Sequence, residues 1–407
     1  MFKPRIRSFL SLHEAQSELA QRRVRVLTYN VLAQNLVHRE LFPSSGNELK
    51  WKHRKRMILD EIIAYDADIA CLQELDHVED FYGQEFAKVG YEVELAKHES
   101  KKHGLAILYK PDIFALTKRT VIEYDKDMVF GPPTQLTGNI ALILSLRFKS
   151  NKDGMQDADQ PMSGLVVGTT HLWWQPETFY ERARQACTYV YRCDEVARQP
   201  DNETSSRWPC LATGDFNSDP VDPTYAVITK TMMLDTQRSW LGWSRKVPRQ
   251  RRFDILLANH GPHRGMAPTT DEDEVAVDMK ETDTVPAKAA DEEPIYIGDL
   301  KDEDLPSLEE FLNLAAKLPK CHSLYQQYAS VDPTMARDIG EPLHTNYTVF
   351  YKGTLDYLMV IDDQPIPSIT PVSLLSIPNA TELGEGLPNA AFGSDHVAIA
   401  AEIMIRK

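Results

Sequence analysis

Residues 211–219 constrain the fold more than any other part of the chain, because an apolar run there ends in the polar sequence Gly214-Asp-Phe-Asn217. Successive residues of a strand face opposite sides, so we expect Asp215 and Asn217 on one face and Phe216 on the other. A carboxylate and an amide that emerge together suit phosphate hydrolysis, since one can deprotonate water and the other can donate to a phosphoryl oxygen. A turn that closes a strand is the alternative interpretation.

The same arrangement recurs along the chain, where apolar runs typical of strands end in polar side chains. Such runs occupy residues 24–31, 67–74, 164–172, 354–361 and 394–402. With the first stretch they place eight polar groups at strand ends, namely Asn30, Glu74, His171, Asp215, Asn217, Asp356, Asp395 and His396. Each alone has a structural explanation, as a turn residue or a satisfied core histidine. Together they favour a hydrolytic site whose oxygen ligands suit Mg²⁺ or Mn²⁺ rather than Zn²⁺.

The remaining patterns predict an α/β protein. Further strands are expected at 91–95, 104–109 and 140–148, and helices at 51–65 and 177–197. The first helix is expected to carry a solvated basic face of Lys52, Arg54, Lys55 and Arg56. The second helix lies between two predicted strands, which indicates a crossover on the outer face of a sheet. Residues 150–161 are rich in Asn, Asp, Gly and Gln and predict an exposed loop.

Composition divides the chain into an arm, a domain and an insertion. Residues 1–23 predict a solvated arm or lead-in helix, with a mitochondrial targeting segment as the alternative. The domain, residues 24–407, is expected to become irregular after Asp219 and to resume with a helix at 308–318. Residues 245–304 predict an insertion that resists folding: fourteen Asp and Glu and three Lys between Asp271 and Asp304 carry −11 of the net charge of −15.

Cysteine use and hydropathy bear on the location of the protein. The five cysteines include no Cys-x-x-Cys pair, which favours a reducing compartment. No apolar run approaches the roughly 18 residues of a transmembrane helix. We therefore expect a monomeric protein of the cytoplasm without a membrane partner, with the nucleus or the mitochondrion as alternatives. The acidic insertion is a candidate for binding a protein partner.

Six motifs resemble, in order, those of the endonuclease/exonuclease/phosphatase superfamily. They are Thr28-Tyr-Asn30, Leu72-Gln-Glu74, Thr170-His-Leu-Trp-Trp-Gln-Pro176, Gly214-Asp-Phe-Asn217, Thr354-Leu-Asp-Tyr357 and Gly393-Ser-Asp-His396. The segment Glu341-Pro-Leu-His-Thr-Asn-Tyr-Thr348 is similar to the carbon-catabolite-repressor deadenylase branch, which includes nocturnin, Angel proteins and Ngl-type RNA exonucleases. The resemblance implies a DNase I-like, four-layer α/β sandwich of two packed mixed sheets flanked by helices, with the site at one end of the strands.

The resemblance also implies a role for each polar residue. Glu74 would be the principal Mg²⁺ ligand, with Asn30 and Asp395 completing or supporting the metal site. Either Asp215 or His396 would take the proton from water, with Asp356 paired to His396. Asn217 and His171 would hold phosphate oxygens. Trp173 and Trp174 are candidates for stacking on a base, although alternation predicts that at least one lies in the core.

The implied activity is that of a Mg²⁺-dependent 3′–5′ exoribonuclease, a deadenylase-like phosphodiesterase. It would act on the 3′ end of poly(A) or other single-stranded RNA and release nucleoside 5′-monophosphates. A phosphatase is the alternative, acting on a small nucleotide such as NADPH or on a terminal 2′ or 2′,3′-cyclic phosphate of RNA. A noncatalytic RNA-binding scaffold is the alternative from a different class, and the loss of a metal ligand would favour it. None of the ligand positions is lost in this sequence.

Overall fold

Two β-sheets packed face to face form the centre of the molecule. The structure, a computed structural model, describes residues 3–12, 21–149, 164–201, 206–246, 301–364 and 367–406. A large apolar cluster fills the space between the sheets, and two further clusters lie between the outer face of each sheet and its helices. These layers are the four-layer α/β sandwich that was predicted, so the prediction of the fold class is confirmed.

The first sheet is mixed. In spatial order its seven described strands are β1 (Phe9–Ser11), β14 (Ile369–Leu375), β15 (Ile399–Arg406), β2 (Gln21–Asn30), β3 (Ile69–Leu75), β5 (Gly104–Tyr109) and β4 (Glu92–Ala96). Only β2 and β3 pair in parallel among them. The last described strand, β15, therefore lies inside the sheet beside β2.

The second sheet is mixed as well. In spatial order its six described strands are β10 (Cys321–Ser323), β13 (Asp356–Ile361), β9 (Cys210–Asp215), β8 (Gly164–His171), β7 (Ile140–Phe148) and β6 (Phe114–Glu123). Here β8 and β9 are the parallel pair. A separate short hairpin joins β11 (Asn346–Tyr347) to β12 (Lys352–Gly353).

The described α-helices, except the last, cover the two outer faces. They are α1 (Trp51–Tyr65), α2 (Gly83–Lys88), α3 (Phe179–Arg198), α4 (Pro223–Thr229), α5 (Asp235–Lys246), α6 (Leu308–Ala315) and α7 (Ala380–Leu383). Within the described parts of the chain, no helix combines the length and the apolar character needed to cross a membrane.

Strand β3 illustrates how the sequence builds the layers. Ile69 and Cys71 belong to the cluster between the sheets, whereas Ala70 and Leu72 belong to the cluster beneath α1. Both faces of this strand are buried, so it is apolar at every one of these positions, as expected for a strand covered on both sides. Its only polar side chains, Gln73 and Glu74, come at its end, where the two sheets leave room for a site.

Several predicted elements coincide with the structure. The predicted helix 51–65 and the predicted strands 104–109 and 140–148 have the bounds of α1, β5 and β7. The strand predicted at 164–172 is β8, which ends one residue earlier. The predicted crossover is also confirmed, because α3 connects the parallel strands β8 and β9.

The predicted basic face of α1 was wrong at one position. Lys52 and Arg56 are exposed, but Arg54 is 0% exposed. Its guanidinium donates to the carbonyl oxygens of Val31 and Gly393, each at 2.7 Å. The helical pattern could not reveal this burial, because the acceptors are backbone oxygens of loops that come from distant parts of the chain.

The described part of the N-terminal segment differs from the solvated arm or lead-in helix that was predicted. Phe9–Ser11 is an edge strand that pairs with β14. Arg7 is buried and donates to the carbonyl oxygens of Ser376 at 2.7 Å and Ala398 at 2.6 Å. A three-residue strand has too short a pattern to predict from sequence, since its partner contributes the other half of the ladder.

Three predicted boundaries are corrected. The chain after Asp219 is not irregular, because it forms α4 and α5. The predicted helix 308–318 ends at Ala315. The predicted strand 394–402 starts only at Ile399, and the residues before it form a loop that reaches β11 through a bridge between His396 and Asn346.

Two predicted segments lie wholly or mostly outside the described residues. The predicted loop 150–161 is one of them, and most of the predicted insertion 245–304 is the other. The described ends of the insertion are structured: Arg245 lies in α5, and its guanidinium donates to the carbonyl oxygens of Leu305 and Pro306 at 2.9 and 2.8 Å.

Glu341 is expected to make folding stability depend on pH. It is 0% exposed, and burial raises its pKa from 4.5 to about 7, with Tyr225 donating to its carboxyl oxygen at 2.8 Å. A carboxyl whose folded-state pKa is raised stabilises the protein below the unfolded-state pKa, and this stabilisation is lost as the pH rises through about 7. The loss is on the order of 3 kcal/mol.

Chemical denaturation of the wild type and of Glu341→Gln between pH 5 and 8 would measure this effect. The wild type should lose stability relative to the Gln variant as the pH rises, because Gln has no proton to lose. Parallel stability curves for the two proteins would contradict the prediction.

Candidate active site

The polar strand ends meet at one edge of the sandwich because of the strand register. In the second sheet Asp215 lies opposite His171 on one side and opposite Asp356 on the other. In the first sheet, Asn30 ends β2 and Glu74 lies at the end of the adjacent parallel strand β3. Both sets therefore face the same gap between the sheets.

A bulge at the end of β3 aims Glu74 into this gap. Leu72 pairs with Ala106 and Leu75 with Gly104, so two residues of β3 stand opposite one residue of β5. Glu74 has a positive φ of 55°, which is rare for a residue with a side chain and is typical of a constrained functional position. Its Oε2 accepts from the backbone N–H of Ala33 at 3.1 Å.

Asn30 joins carboxylates from the two sheets. Its Nδ2 donates to Glu74 Oε1 at 2.9 Å and to Asp215 Oδ2 at 3.0 Å, while its Oδ1 accepts from the N–H of Leu32 at 3.0 Å. The amide oxygen that would bind a metal is thus already engaged by the backbone. This geometry makes Asn30 a bridge between two carboxylates, and the predicted role as a metal ligand stays a prediction.

Glu74 is held in its ionised form. Burial raises the pKa of its carboxyl group, but the nearby His171 and His103, together with the hydrogen bond from Asn30, lower it, and the net direction is downward. The carboxylate is therefore available at neutral pH as a negatively charged oxygen donor.

The Gly-Asp-Phe-Asn stretch combines both interpretations that its sequence allowed. Asp215 ends β9 and accepts the backbone N–H of Asn217 on Oδ1 at 2.8 Å, which is a turn contact. Asn217 has a positive φ of 46°, and its Nδ2 donates to the carbonyl oxygen of Leu172 at 2.8 Å. Phe216 points into the core against Tyr189 and Tyr357, so the ring anchors the strand end as expected.

His396 and Asp356 form a buried pair. Asp356 Oδ2 lies 2.7 Å from His396 Nδ1 and accepts from the hydroxyl of Thr345 at 2.6 Å. Burial lowers the pKa of His396, but the carboxylates of Asp356, Asp215 and Asp395 raise it, and the net result lies well above 6.5. The surrounding carboxylates therefore favour the protonated ring, whose Nε2 lies 3.6 Å from Asp215 Oδ2.

His171 completes the ring of groups around Asp215. It is partly exposed, and its Nδ1 and Nε2 lie 3.8 Å from Glu74 Oε1 and 3.7 Å from Asp215 Oδ2. Burial and the charge of Asp356 raise the pKa of Asp215, whereas His396, His171 and the hydrogen bond from Asn30 oppose that rise. Asp215 is consequently a stronger base than an exposed aspartate.

Asp395 lies in the loop that also carries His396. Its Oδ2 accepts from the amide of Asn346 at 3.3 Å, and the neighbouring Ser394 hydroxyl donates to the backbone oxygen of Asn30 at 2.7 Å. Burial raises the pKa of Asp395, and the charge of Glu74 raises it further. Two carboxylates that repel each other across a gap are a setting that a cation would relieve.

The donor set fits a hard divalent cation. One group of described residues has ligand atoms within 4.8 Å of one another: Asp215, Asp356 and His396. A cationic histidine is a poor ligand, because metal binding requires the neutral ring. Asp356 Oδ1 is buried and has no hydrogen-bond partner among the described residues. Glu74 and Asp395 offer carboxylate oxygens, which suit Mg²⁺ or Mn²⁺.

The two tryptophans differ. Trp173 is 1% exposed and belongs to the core, as alternation predicted for at least one of the pair, whereas Trp174 is 45% exposed. The hairpin between β11 and β12 was not among the predicted elements, and its turn exposes Phe350 and Tyr351 at 58% and 42%. The bridge between Asn346 and His396 attaches this hairpin to the site. Consecutive large apolar residues between two turn-forming positions were the available signal.

Comparison with known proteins gives consistent matches. A model of the Endonuclease/Exonuclease/phosphatase family matches residues 27–275. A probable RNA exonuclease of Schizosaccharomyces pombe is 30% identical over 396 residues, covering 94% of this chain and 76% of its own length. RNA exonuclease NGL2 of Saccharomyces cerevisiae is 31% identical over 380 residues, covering 87% and 69%.

Solved structures share the fold. ANGEL2, described as a 2′,3′-cyclic phosphatase, matches with a TM-score of 0.64 and 21% identity over 98% of both chains. The catalytic domain of human Nocturnin matches with a TM-score of 0.55 and 17% identity, covering 98% of this chain and 97% of its own.

The charge of Asp356 is expected to control the protonation of His396. In Asp356→Asn the pKa of His396 should fall, because burial then opposes the cation with one fewer carboxylate in contact. NMR titration of the His396 ring in the metal-free protein would measure this change. The ring of His322, which contacts the backbone oxygen of Asp362, serves as an internal control that should not move. A His396 ring that titrates as in the wild type would contradict the prediction.

Proposed function

The chain belongs to the endonuclease/exonuclease/phosphatase family, and within this family we propose that it is a Mg²⁺-dependent 3′–5′ exoribonuclease. It would shorten RNA from the 3′ end and release nucleoside 5′-monophosphates. Relatives that match most of the chain are named RNA exonucleases, which supports RNA as the substrate. The alternative phosphatase activity and the scaffold role become outcomes of the test below.

The observation that carries the proposal is the placement of Asp215. Its carboxylate accepts from Asn30 at 3.0 Å and lies within 3.7 Å of a ring nitrogen of both His171 and His396. A base, two imidazoles and the ionised Glu74 thus surround one gap. A phosphodiester placed there would have a base for water on one side and positive or donor groups around its oxygens.

The metal ion is proposed to be Mg²⁺, with Mn²⁺ as a substitute, held by Glu74 and Asp395. When bound, such an ion polarises the phosphoryl group and offsets the negative charge that develops on the leaving oxygen. Asn30 keeps the Glu74 carboxylate in place through its 2.9 Å hydrogen bond. It thereby fixes the position of one proposed ligand relative to the proposed base.

Asp215 is proposed as the general base. Its raised pKa makes it better matched to proton transfer near neutral pH than an exposed aspartate would be. It would take a proton from water as the water oxygen bonds to phosphorus and the bond from phosphorus to the 3′ oxygen breaks. His396 is already protonated next to Asp356, so it suits a charged contact to the phosphate rather than proton removal.

The remaining groups would hold the substrate. His171 and the second amide hydrogen of Asn217 can donate to phosphate oxygens as charge develops. Trp174, Phe350 and Tyr351 expose rings, and such rings accept bases by stacking without a strong sequence preference. We therefore propose that single-stranded RNA is preferred over duplex RNA.

The test uses purified protein with Mg²⁺ and 5′-labelled RNA, with oligoadenylate and a mixed sequence as separate substrates. The wild type should produce a ladder that shortens from the 3′ end, and EDTA should abolish it. Glu74→Ala should lower turnover by at least about 100-fold, because it removes a proposed ligand. Trp174→Ala removes an exposed ring that is proposed to stack on a base, so it should mainly raise the KM for RNA.

The same assay includes DNA, NADPH and RNA that ends in a 2′,3′-cyclic phosphate. Loss of phosphate from NADPH or opening of the cyclic phosphate, without chain shortening, would replace the proposal with the phosphatase alternative. RNA binding without turnover of any substrate would favour the scaffold role.

The pH dependence of RNA cleavage should distinguish the two candidate bases. If Asp215 is the base, activity falls at low pH as Asp215 becomes protonated. This low-pH limb of the pH–rate profile should remain in His396→Gln. The limb should move to higher pH in that variant, because the positive charge of His396 lowers the pKa of Asp215. Asp215→Asn should lower kcat by about 10²- to 10⁴-fold. Disappearance of the low-pH limb in His396→Gln would make His396 the base instead.

A further inference from the structure

Arg54 is a fully buried cation on α1 whose acceptors are neutral oxygens. Its Nη2 donates to the carbonyl oxygens of Val31, at 2.7 Å, and Leu32. Its Nε donates to the carbonyl oxygen of Gly393 at 2.7 Å, and its Nη1 donates to the side-chain oxygen of Gln34 at 2.9 Å. One planar guanidinium therefore ties two separate loops to a helix.

Both loops carry residues of the candidate site. The first follows Asn30, and its Ala33 N–H donates to Glu74 Oε2 at 3.1 Å. The second runs from Gly393 into Asp395 and His396. Leu32 is one of the Arg54 acceptors and directly precedes Ala33, the donor to Glu74, and it has a positive φ of 54°. Without an external tie, a leucine would rarely hold this conformation, so Arg54 maintains the shape of the loop that contacts Glu74.

The charge of Arg54 also acts on the site. Its positive guanidinium interacts with the carboxylates of Asp76 and Asp395. Because the Arg54 side chain is 0% exposed, this interaction reaches Asp395 from the interior of the protein.

We infer that Arg54 is a positioning residue for the metal site, one that fixes the loop at Glu74 and the loop of Asp395 in the arrangement that binds a divalent cation. This inference rests on the proposed function only in placing the metal at Glu74 and Asp395. Loss of the hydrogen bonds from the Arg54 guanidinium to the two loops is expected to weaken metal binding. It is not expected to have a comparable effect on contacts to RNA. Residues that orient metal ligands typically contribute 10- to 100-fold to metal affinity.

The test measures Mg²⁺ and Mn²⁺ binding by calorimetry in the absence of RNA, for the wild type and for Arg54→Lys. Lysine keeps the charge but cannot reach four acceptors in one plane. We expect the dissociation constant for metal to rise about 10- to 100-fold. In RNA cleavage, the half-saturating metal concentration should rise in parallel, whereas the KM for RNA at saturating metal should change little.

Arg184→Lys is the matched control. Arg184 is also 0% exposed on a helix and donates to the carbonyl oxygens of Tyr124, at 2.9 Å, and Asp127, at 3.0 Å, which belong to a loop that carries none of the proposed ligands. Unlike Arg54, it also pairs with a carboxylate, that of Glu181 at 2.7 Å. The Arg184→Lys variant should be less stable to unfolding than the wild type and should bind metal with wild-type affinity. If Arg54→Lys does not fold, Gln34→Met removes one acceptor of Arg54 and should weaken metal binding by a smaller factor.

The outcomes separate this inference from the proposed function. If the wild type binds metal and Arg54→Lys binds it more weakly, the role of Arg54 is supported even when RNA is not cleaved. Metal affinity within twofold of the wild type in folded Arg54→Lys overturns the inference even when RNA is cleaved as proposed. Equal weakening in Arg184→Lys also overturns it, because the effect would then reflect general destabilisation.

Discussion

The candidate site depends on one side chain that joins the two sheets by hydrogen bonds. Asn30 belongs to the first sheet and donates to Glu74 of that sheet and to Asp215 of the other. Below it, Gln73 donates across the same gap to Thr169 Oγ1 at 2.8 Å. The large cluster that fills the space between the sheets is apolar, and its packing does not fix polar atoms in direction. Directional contacts at this edge hold carboxylates from separate sheets at constant separation.

Charge is distributed around that contact in a consistent way. The site contains four carboxylates and two imidazoles, those of Glu74, Asp215, Asp356, Asp395, His171 and His396. The buried guanidinium of Arg54 lies behind Asp395. His396 lies next to Asp356 and Asp215, His171 lies near Glu74 and Asp215, and Arg54 interacts with Asp395. The carboxylate oxygens of Glu74 and Asp395 support the proposed binding of a divalent metal between them.

Much of this arrangement could be predicted from the sequence. Strands with apolar residues on both faces, such as β5 and β7, form apolar runs that are long enough to give the bounds of the strand. Each polar strand end was identified because it interrupts an apolar run of this kind. Their convergence needed the family resemblance, because pairing between β9 and β13 joins residues that are about 140 positions apart.

The parts that sequence reasoning missed have one physical feature in common. Arg54, Arg7 and the strand β1 owe their positions to backbone atoms that are distant in sequence, and no local periodicity records such partners. The left-handed conformations of Glu74 and Leu32 are likewise imposed by tertiary contacts rather than by residue type. Arg54 was assigned to a solvated face because a helical pattern of charges cannot show that one of them is covered by loops.

The position of β15 inside the first sheet has a consequence for biosynthesis. This strand pairs with β2 over eight residues that lie more than 370 positions earlier in the chain, and β1 joins the sheet only through β14. A ribosome-bound chain that ends before Asp395 lacks β15, an interior strand of this sheet, and it also lacks Asp395 and His396. Closure of the sheet and completion of the reactive groups therefore coincide during translation. The proposed active site is therefore complete only after strands from both ends of the described chain have been made and have paired.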